Sequence, residues 1–265
     1  MNGFGRRRLA LPAALGFVLL VGCAGTLWAA AKEKAPPAPP PAARAESKEV
    51  SPHVAREAAA PPSHHAKVVG MPAEEALKLL LDGNERVVKG TARGPNRTAL
   101  RRQELAAGQR PFAVVVTCSD SRVPPELLFD QGYGDLFVVR TAGNVVDAVA
   151  LGSIEYAVEH LGVRLVVVLG HSRCGAVSAT LEGGALPGHL PTIAEAIQPA
   201  VEAVRSKPGD LLANCVKANV KLVVQKIMRT SPDYVQNMEE CVFRIVGGYY
   251  DLDTGKVQLT YQPVI

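Results

Sequence analysis

FAVVVTCSDSRVPPE, residues 112–126, and LVVVLGHSRCGAV, residues 165–177, decide the fold of this chain. Each begins as a continuous run of apolar, mostly β-branched residues and ends abruptly in polar residues. Such runs are typical of strands that are buried on both faces of a parallel sheet. Because the carboxyl ends of parallel strands meet at one edge of a sheet, we expect the polar residues after the two runs to lie close together.

Further strands and helices are predicted around these two runs. Short apolar runs predict strands at 136–139, 242–246 and 256–262, the last of them antiparallel to its predecessor. Helical spacing of apolar residues predicts helices at 72–89, 98–107, 149–161, 193–205 and 211–228. Strands that alternate with helices predict an α/β fold with a mostly parallel central sheet flanked by helices. One α/β domain, residues 71–265, accounts for all of these elements.

The N-terminus has the layout of an export signal. Three arginines at 6–8 precede an apolar run at 9–21 and a small-residue exit, which predicts a secretory signal peptide over residues 1–22. The sequence ending at Cys23 resembles a bacterial lipobox. It predicts acylation of Cys23 and an exported protein at the bacterial cell envelope or periplasm, joined to the membrane only by a lipid anchor. Ordinary cleavage near residues 29–31 is the alternative.

The segment that follows is crowded with alanine and proline and has almost no large apolar side chains, so we predict a disordered tether over residues 23–70. The formal net charge is +4, and the three signal arginines account for three of those charges, which leaves +1. A near-neutral remainder argues against nucleic acid as a partner.

Three residues at the ends of the two buried strands form a candidate metal site. Cys118 follows the first run, and His171 and Cys174 follow the second at a spacing that lets both reach one ion. Two thiolates and one imidazole are a set that zinc prefers, and three protein ligands leave the fourth position for water. Two alternatives remain: buried cysteines that act as small apolar residues, and a disulfide between Cys118 and Cys174.

The motifs Cys118-Ser-Asp120-Ser-Arg122, Arg140-Thr-Ala-Gly-Asn144 and His171-Ser-Arg-Cys174-Gly175 closely resemble those of the β-class carbonic anhydrases, over nearly all of residues 71–265. The resemblance implies reversible hydration of CO₂ to bicarbonate and a proton. It implies one Zn²⁺ per chain, held by Cys118, His171 and Cys174, and zinc lowers the pKa of water from 15.7 to about 7. Asp120 is expected to orient the attacking hydroxide and Arg122 to hold Asp120. In a closed state, Asp120 is expected to become the fourth ligand.

The same resemblance, to plant-type members in particular, implies five substrate-binding residues: Gln109, Phe137, Ala142, Tyr156 and Gly175. Gln109 matches the residue that hydrogen-bonds a substrate oxygen, and its presence argues against the bicarbonate-inhibited subgroup. Phe137, Ala142 and Tyr156 match an apolar pocket, and Gly175 starts a helix whose N–H groups can meet an anion. The family's common Asn is replaced by Thr141.

A homodimer or larger homo-oligomer is implied as well. The N-terminal helices would then pack on a partner subunit, and Gln109 and Tyr156 would serve a neighbour's zinc.

Several alternatives stay open on the sequence. A carbon disulfide or carbonyl sulfide hydrolase uses the same fold and zinc set. A non-catalytic, envelope-tethered zinc-binding or redox protein would instead have a closed fourth ligand or a reducible disulfide. Cys215 and Cys241 could pair after export or stay as free thiols, and His160 and His189 could transfer protons or serve only as surface or capping residues.

Overall fold

The computed structural model describes residues 70–230, 234 and 242–263. The signal peptide, most of the tether, Cys23 and Cys241 lie outside the described residues, so the predictions about them stay predictions. Within the described part of the chain, no helix combines the length and apolar character needed to cross a membrane.

A five-stranded sheet forms the centre of the fold. Its strands are β1 (Ala113–Cys118), β2 (Leu136–Thr141), β3 (Leu165–His171), β4 (Arg244–Tyr250) and β5 (Val257–Tyr261). They lie in the order β2-β1-β3-β4-β5; the first four are parallel, and β5 is antiparallel to β4. The predicted mostly parallel α/β fold is therefore confirmed, together with the antiparallel last strand.

Helices lie between and before the strands. They are α1 (Ala73–Val88), α2 (Ala99–Glu104), α3 (Pro125–Leu128), α4 (Ala148–Glu159), α5 (Gly175–Glu182), α6 (Leu190–Val204) and α7 (Leu211–Thr230). The helix predicted at 98–107 ends as a short 3₁₀ turn, Leu105–Ala107. The sequence patterns did not predict α3 as a helix, and they predicted only the first residue of α5, because both elements are too short to develop helical periodicity.

Both faces of the sheet are buried, which explains the unbroken apolar runs. Successive strand residues point to opposite faces, so Val115 and Val167 join one apolar cluster with residues of α1, α5 and α6. Val114 and Val166 join the other cluster with residues of α4 and α7. All six residues of β1 and all seven of β3 are buried.

The inner face of helix α1 packs into the core of its own chain. Leu77 and Leu80 are buried there, and the Asn84 side chain makes three hydrogen bonds to backbone groups of two other segments. The outer face leaves Leu79 39% and Val88 43% exposed, and α2 buries none of its residues. Packing of the N-terminal helices on a partner stays a prediction, restricted now to these outer surfaces.

Candidate metal centre

The sheet register brings the three predicted metal ligands together. Strands β1 and β3 are hydrogen-bonded neighbours with Thr117 opposite Leu169, so Cys118 and His171 end adjacent strands at the same edge. Cys174 is the residue before α5. The ligand atoms of Cys118, His171 and Cys174 all lie within 4.8 Å of one another, and all three residues are buried. One ion at this position would be within reach of every ligand.

The hydrogen bonding of His171 prepares one ring nitrogen for a metal. Its Nδ1 lies 2.9 Å from the Ser172 carbonyl oxygen, and a carbonyl only accepts, so Nδ1 carries the proton. In the neutral ring Nε2 then has a free lone pair. Nε2 is buried and has no hydrogen-bond partner. A buried polar atom left without a partner is costly, and a metal ion in the cluster would satisfy it.

The two cysteines are not joined by a disulfide in this structure. A hydrogen bond from Cys174 is the main cause that lowers the pKa of Cys118, to about 4 in spite of burial. The same Cys174–Cys118 bond, together with burial, raises the pKa of Cys174 far above its ordinary value. A bound cation would stabilise both sulfurs as thiolates.

A glycine turn after β2 supports the Cys118 sulfur. The Gly143 N–H donates to Cys118 Sγ at 3.3 Å, and Asn219 on α7 donates to the Gly143 carbonyl at 2.8 Å. Gly143 has φ +66°, and a Cβ there would lie 2.7 Å from Ile197 Cδ1. Both the backbone conformation and the close approach of α6 favour glycine at this position.

The loop that carries His171 and Cys174 is held by the turn after β4. The Ser172 N–H donates to the Tyr250 carbonyl, and Ser172 Oγ accepts from Leu252 N at 2.9 Å. Arg173 has a positive φ of 52°, an uncommon conformation for a residue with a side chain. Its guanidinium donates to both carboxylate oxygens of Asp253, at 2.6 and 2.8 Å. These contacts fix the turn that places both ligands on one ion.

Asp120 and Arg122 form the predicted ion pair beside the cluster. Arg122 Nε donates to Asp120 Oδ1 at 2.9 Å, Nη2 donates to Oδ2 at 2.7 Å, and the Arg122 N–H donates to Oδ1 at 3.0 Å. The Arg122 side chain holds the pKa of Asp120 well below its usual range. Asp120 Oδ2 lies 3.8 Å from His171 Nε2, so the carboxylate faces the metal position while it is bound to Arg122.

Sequence reasoning missed the role of Arg140. Its Nε donates to the Cys118 carbonyl at 2.9 Å, and its Nη2 donates to the Asp120 carbonyl at 2.6 Å. Arg122 makes a further contact, from Nη2 to the Arg173 carbonyl at 3.3 Å. The two arginines thus hold the backbone of both ligand loops. An arginine inside an otherwise apolar strand was the available signal for Arg140.

Two of the five predicted substrate residues lie beside the cluster. Ala142 precedes Gly143, whose N–H contacts Cys118. Gly175 directly follows Cys174 as the first residue of α5.

The other three lie away from the cluster of the same chain. Phe137 is four residues before the end of β2 and opposite Val114, which places it about 13 Å from the ligand edge. Its ring lies 6.3 Å from the ring of Tyr156, which is 47% exposed. Gln109 is exposed and precedes β1, at the edge opposite Cys118. No single chain therefore brings all five substrate residues to one metal position.

The remaining candidates lie at helix ends or in the core. His160 is the C-cap of α4, with its ring 5.2 Å from that of Tyr156, and His189 is the N-cap of α6. Neither belongs to the metal cluster. Cys215 is a buried free thiol in α7.

Comparison with known proteins identifies the family. The family model described as carbonic anhydrase matches residues 113–257, which span strands β1 to β4, the first residue of β5 and the whole metal cluster. Carbonic anhydrase 2 of Mycobacterium tuberculosis is 44% identical over 188 residues, covering 69% of this chain and 91% of that protein. The chain belongs to the carbonic anhydrase family. The carbonic anhydrase of Pseudomonas aeruginosa is 36% identical over 169 residues, covering 58% of this chain and 76% of that protein.

Solved structures narrow this to the β class. A tetrameric β-carbonic anhydrase of Sordaria macrospora matches with a TM-score of 0.56 at 25% identity, covering 70% of this chain and 96% of that one. A β-carbonic anhydrase of Coccomyxa in complex with acetazolamide also has a TM-score of 0.56, at 26% identity, with 71% and 87% covered. This β-carbonic anhydrase is therefore an enzyme whose expected reaction is CO₂ hydration.

Proposed function

We propose that this β-carbonic anhydrase interconverts CO₂ and bicarbonate on one zinc ion held by Cys118, His171 and Cys174. The observation that supports this most strongly is the convergence of three buried ligand atoms within 4.8 Å, one of them an imidazole nitrogen with no other partner. Two sulfurs and one nitrogen suit zinc. Zinc in such a site supplies hydroxide at neutral pH because it lowers the pKa of water.

Asp120 acts as an acceptor that orients the attacking oxygen. Its pKa is held well below the usual range by Arg122, so the carboxylate is ionised at every pH at which the enzyme works and cannot serve as a proton donor. Its Oδ2, 3.8 Å from His171 Nε2, can accept one hydrogen bond from the nucleophile and aim a lone pair at the CO₂ carbon.

Arg122 keeps Asp120 in this role by donating hydrogen bonds to both of its carboxylate oxygens. Nitrogen and oxygen ligands of one tetrahedral zinc lie about 3.3 Å apart, given bonds of 2.0–2.1 Å. Asp120 Oδ2 is 3.8 Å from His171 Nε2, so a small movement away from Arg122 would make it the fourth ligand. Such a movement would close the site to water.

The N–H···S bond from Gly143 would influence the Lewis acidity of a zinc ion bound by Cys118. Two thiolates make the zinc unit formally neutral and a weaker Lewis acid. The Gly143 N–H donates to Cys118 Sγ, and this bond would draw electron density from the sulfur and partly restore the Lewis acidity of a bound zinc.

The substrate pocket is completed across a subunit interface. Gln109, Phe137 and Tyr156 lie away from their own chain's cluster. The described residues also include exposed apolar side chains on α2, on α4 and in the segment before β2: Leu100, Tyr133, Val149 and Tyr156. Exposed apolar groups of this kind mark a contact surface. A homodimer or larger homo-oligomer buries them and carries Gln109 and Tyr156 to a neighbour's zinc. The related enzyme of Sordaria macrospora is tetrameric.

Mixed oligomers test the shared pocket. Gln109→Ala and Cys174→Ala chains are each expected to be inactive alone, and a dimer of one of each would keep one site with both an intact Gln109 and an intact ligand set. Recovery of activity on mixing through unfolding and refolding supports the shared pocket. If the mixture stays as inactive as its parents, each pocket belongs to one chain.

The enzyme works at the cell envelope, tethered through Cys23. The support is the arrangement of signal residues 1–22 and the Ala/Pro-rich segment that follows. Labelled palmitate should enter the full chain in a bacterial host and should not enter Cys23→Ser. Equal labelling of both chains, or of neither, contradicts lipidation at this residue.

Cobalt substitution tests the ligand set independently of catalysis. Co²⁺ in a tetrahedral two-thiolate site absorbs strongly in the near ultraviolet through sulfur-to-metal charge transfer. We expect one equivalent to bind wild type and Cys215→Ala with the same spectrum, and Cys174→Ala to lose most of that absorption. An unchanged spectrum in Cys174→Ala would exclude the proposed ligand set.

A further inference from the structure

A groove between α6 and α7 lies apart from the metal centre. Its volume is about 530 Å³, within the range of sites for small ligands. Several of the residues that line the groove are alanines, namely Ala200 and Ala203 on α6 and Ala218 on α7. The groove therefore exists because the sequence places methyl groups where larger side chains would fill the gap.

The charged residues that line this groove are all basic. Lys207, Lys217 and Lys221 line it, and no aspartate or glutamate does. None of the three lysines has a carboxylate within salt-bridge distance among the described residues, whereas Lys78 and Lys89 on α1 do. The twenty residues of α7 include no acidic residue. Like charges gathered without a salt-bridged carboxylate repel one another, and a bound anion would relieve that repulsion.

Two of these ammonium groups are held in place by aromatic rings. Lys217 Nζ lies 4.9 Å from the centre of the Tyr249 ring, and Lys221 Nζ lies 5.3 Å from that of Tyr261. Lys217 and Lys221 are one helical turn apart, so both project from the same side of α7. Side chains that are already ordered lose less entropy when they bind a ligand.

The rest of the lining indicates what the ligand carries besides charge. Gln225 and Thr260 offer hydrogen-bonding groups, and Pro199, Ala200 and Leu222 offer apolar surface for a carbon skeleton. Lysine is a common phosphate ligand in proteins. We propose that this groove binds a small organic phosphate with two anionic groups, at a site separate from the metal centre.

Titration calorimetry on the zinc-loaded full chain tests this, with fructose 1,6-bisphosphate as the probe and inorganic phosphate for comparison. The bisphosphate should bind more tightly than inorganic phosphate. Lys217→Gln/Lys221→Gln should bind it at least about tenfold more weakly, because two charge-assisted contacts are lost. The matched control, Lys78→Gln/Lys89→Gln, removes the same charge from α1 and should bind like wild type. Zinc content is measured in every sample.

A second variant separates the groove from diffuse surface charge. Ala203 is exposed and lines the groove, so Ala203→Phe should fold, fill the groove and weaken binding at unchanged net charge. Binding that survives both Ala203→Phe and the double lysine change overturns the proposal, because the probe would then sit elsewhere, the metal included. No binding of the bisphosphate overturns it too, unless the vesicle assay supplies a lysine-dependent partner.

The phosphate could also belong to a lipid headgroup, and vesicles distinguish that source. Vesicles of phosphatidylcholine with cardiolipin, whose headgroup carries two phosphates, are compared with phosphatidylcholine alone, using the same lysine variants. Co-sedimentation that needs Lys217 and Lys221, without binding of the soluble bisphosphate, supports the phosphate site with a lipid as its source. Failure of both assays, or lysine-independent results in both, rejects it.

Discussion

Replacement of Arg122 by alanine is the sharpest perturbation of the proposed site. The guanidinium supplies two of the three hydrogen bonds that hold the Asp120 carboxylate, at 2.9 and 2.7 Å, and the backbone N–H supplies the third. Without it, Asp120 Oδ2 need approach His171 Nε2 by only about 0.5 Å to reach the separation of two ligands on one tetrahedral zinc. A misplacement on the order of 1 Å can cost about a hundredfold in rate.

We therefore expect Arg122→Ala to keep one zinc per chain and to lose about 99% of its CO₂ hydration activity. Stopped-flow hydration with a pH indicator gives the rate, and atomic absorption gives the metal content. Arg122→Lys, which keeps the charge but loses the two-pronged contact, should fall between alanine and wild type. Arg229→Ala, an exposed arginine on α7, is the matched control and should be unchanged.

Two outcomes would refute this reasoning. Full activity in Arg122→Ala would remove Arg122 from the mechanism. Loss of zinc in step with activity would make Arg122 a residue that maintains the metal site instead of one that positions Asp120.

Three further predictions concern the support of the fold and of the ligand loops. Asp130 is fully buried beside Arg86, and its pKa is kept below the ordinary value because hydrogen bonds outweigh burial. The ionised carboxylate therefore stabilises the folded state above about pH 3.9. This stabilisation is lost as the pH falls through the lower folded pKa. Asp130→Asn should lower the free energy of unfolding in urea by about 2–3 kcal/mol, and a change below about 0.5 kcal/mol would contradict this. Gly143→Ala should lose about 1–2 kcal/mol by the same measurement and release zinc faster to a chelator, and wild-type release would argue against the N–H···S support. Asp253→Ala should leave unfolding unchanged and speed zinc release roughly two- to tenfold, and equal release rates would show that the pairing with Arg173 does not hold the ligand loop.

The sequence was sufficient for the centre of the fold because its strands are buried on both faces. Such strands read as unbroken apolar runs, and the polar residues after them mark the sheet edge that carries the site. The three metal ligands could be predicted from that sheet edge alone. The predicted ends of β1 and β3 fall one and two residues short, because Cys118 and His171 are polar enough to read as loop yet continue the ladder. The predicted end of β4 falls four residues short.

Contacts between residues far apart in the chain could not be predicted from the sequence. Asn219 meets Gly143 across 76 positions, and Arg173 meets Asp253 across 80; no local pattern announces either pair. The positive φ of Arg173 is likewise imposed by its surroundings and not by its residue type. The resemblance to β-class enzymes supplied the pocket residues. Only the register of β2 and the position of Gln109 before β1 show that Phe137 and Gln109 lie far from their own chain's metal cluster.

The most direct test of the metal centre is stopped-flow CO₂ hydration, between about pH 6.5 and 9, where zinc supplies hydroxide. Wild type, Cys174→Ala and the matched control Cys215→Ala would each be stripped of metal and reloaded with zinc. We expect wild type and Cys215→Ala to recover metal-dependent hydration, and Cys174→Ala not to recover it. Hydration by Cys174→Ala at the wild-type rate, or no metal-dependent hydration by zinc-loaded wild type at any of these pH values, would contradict it.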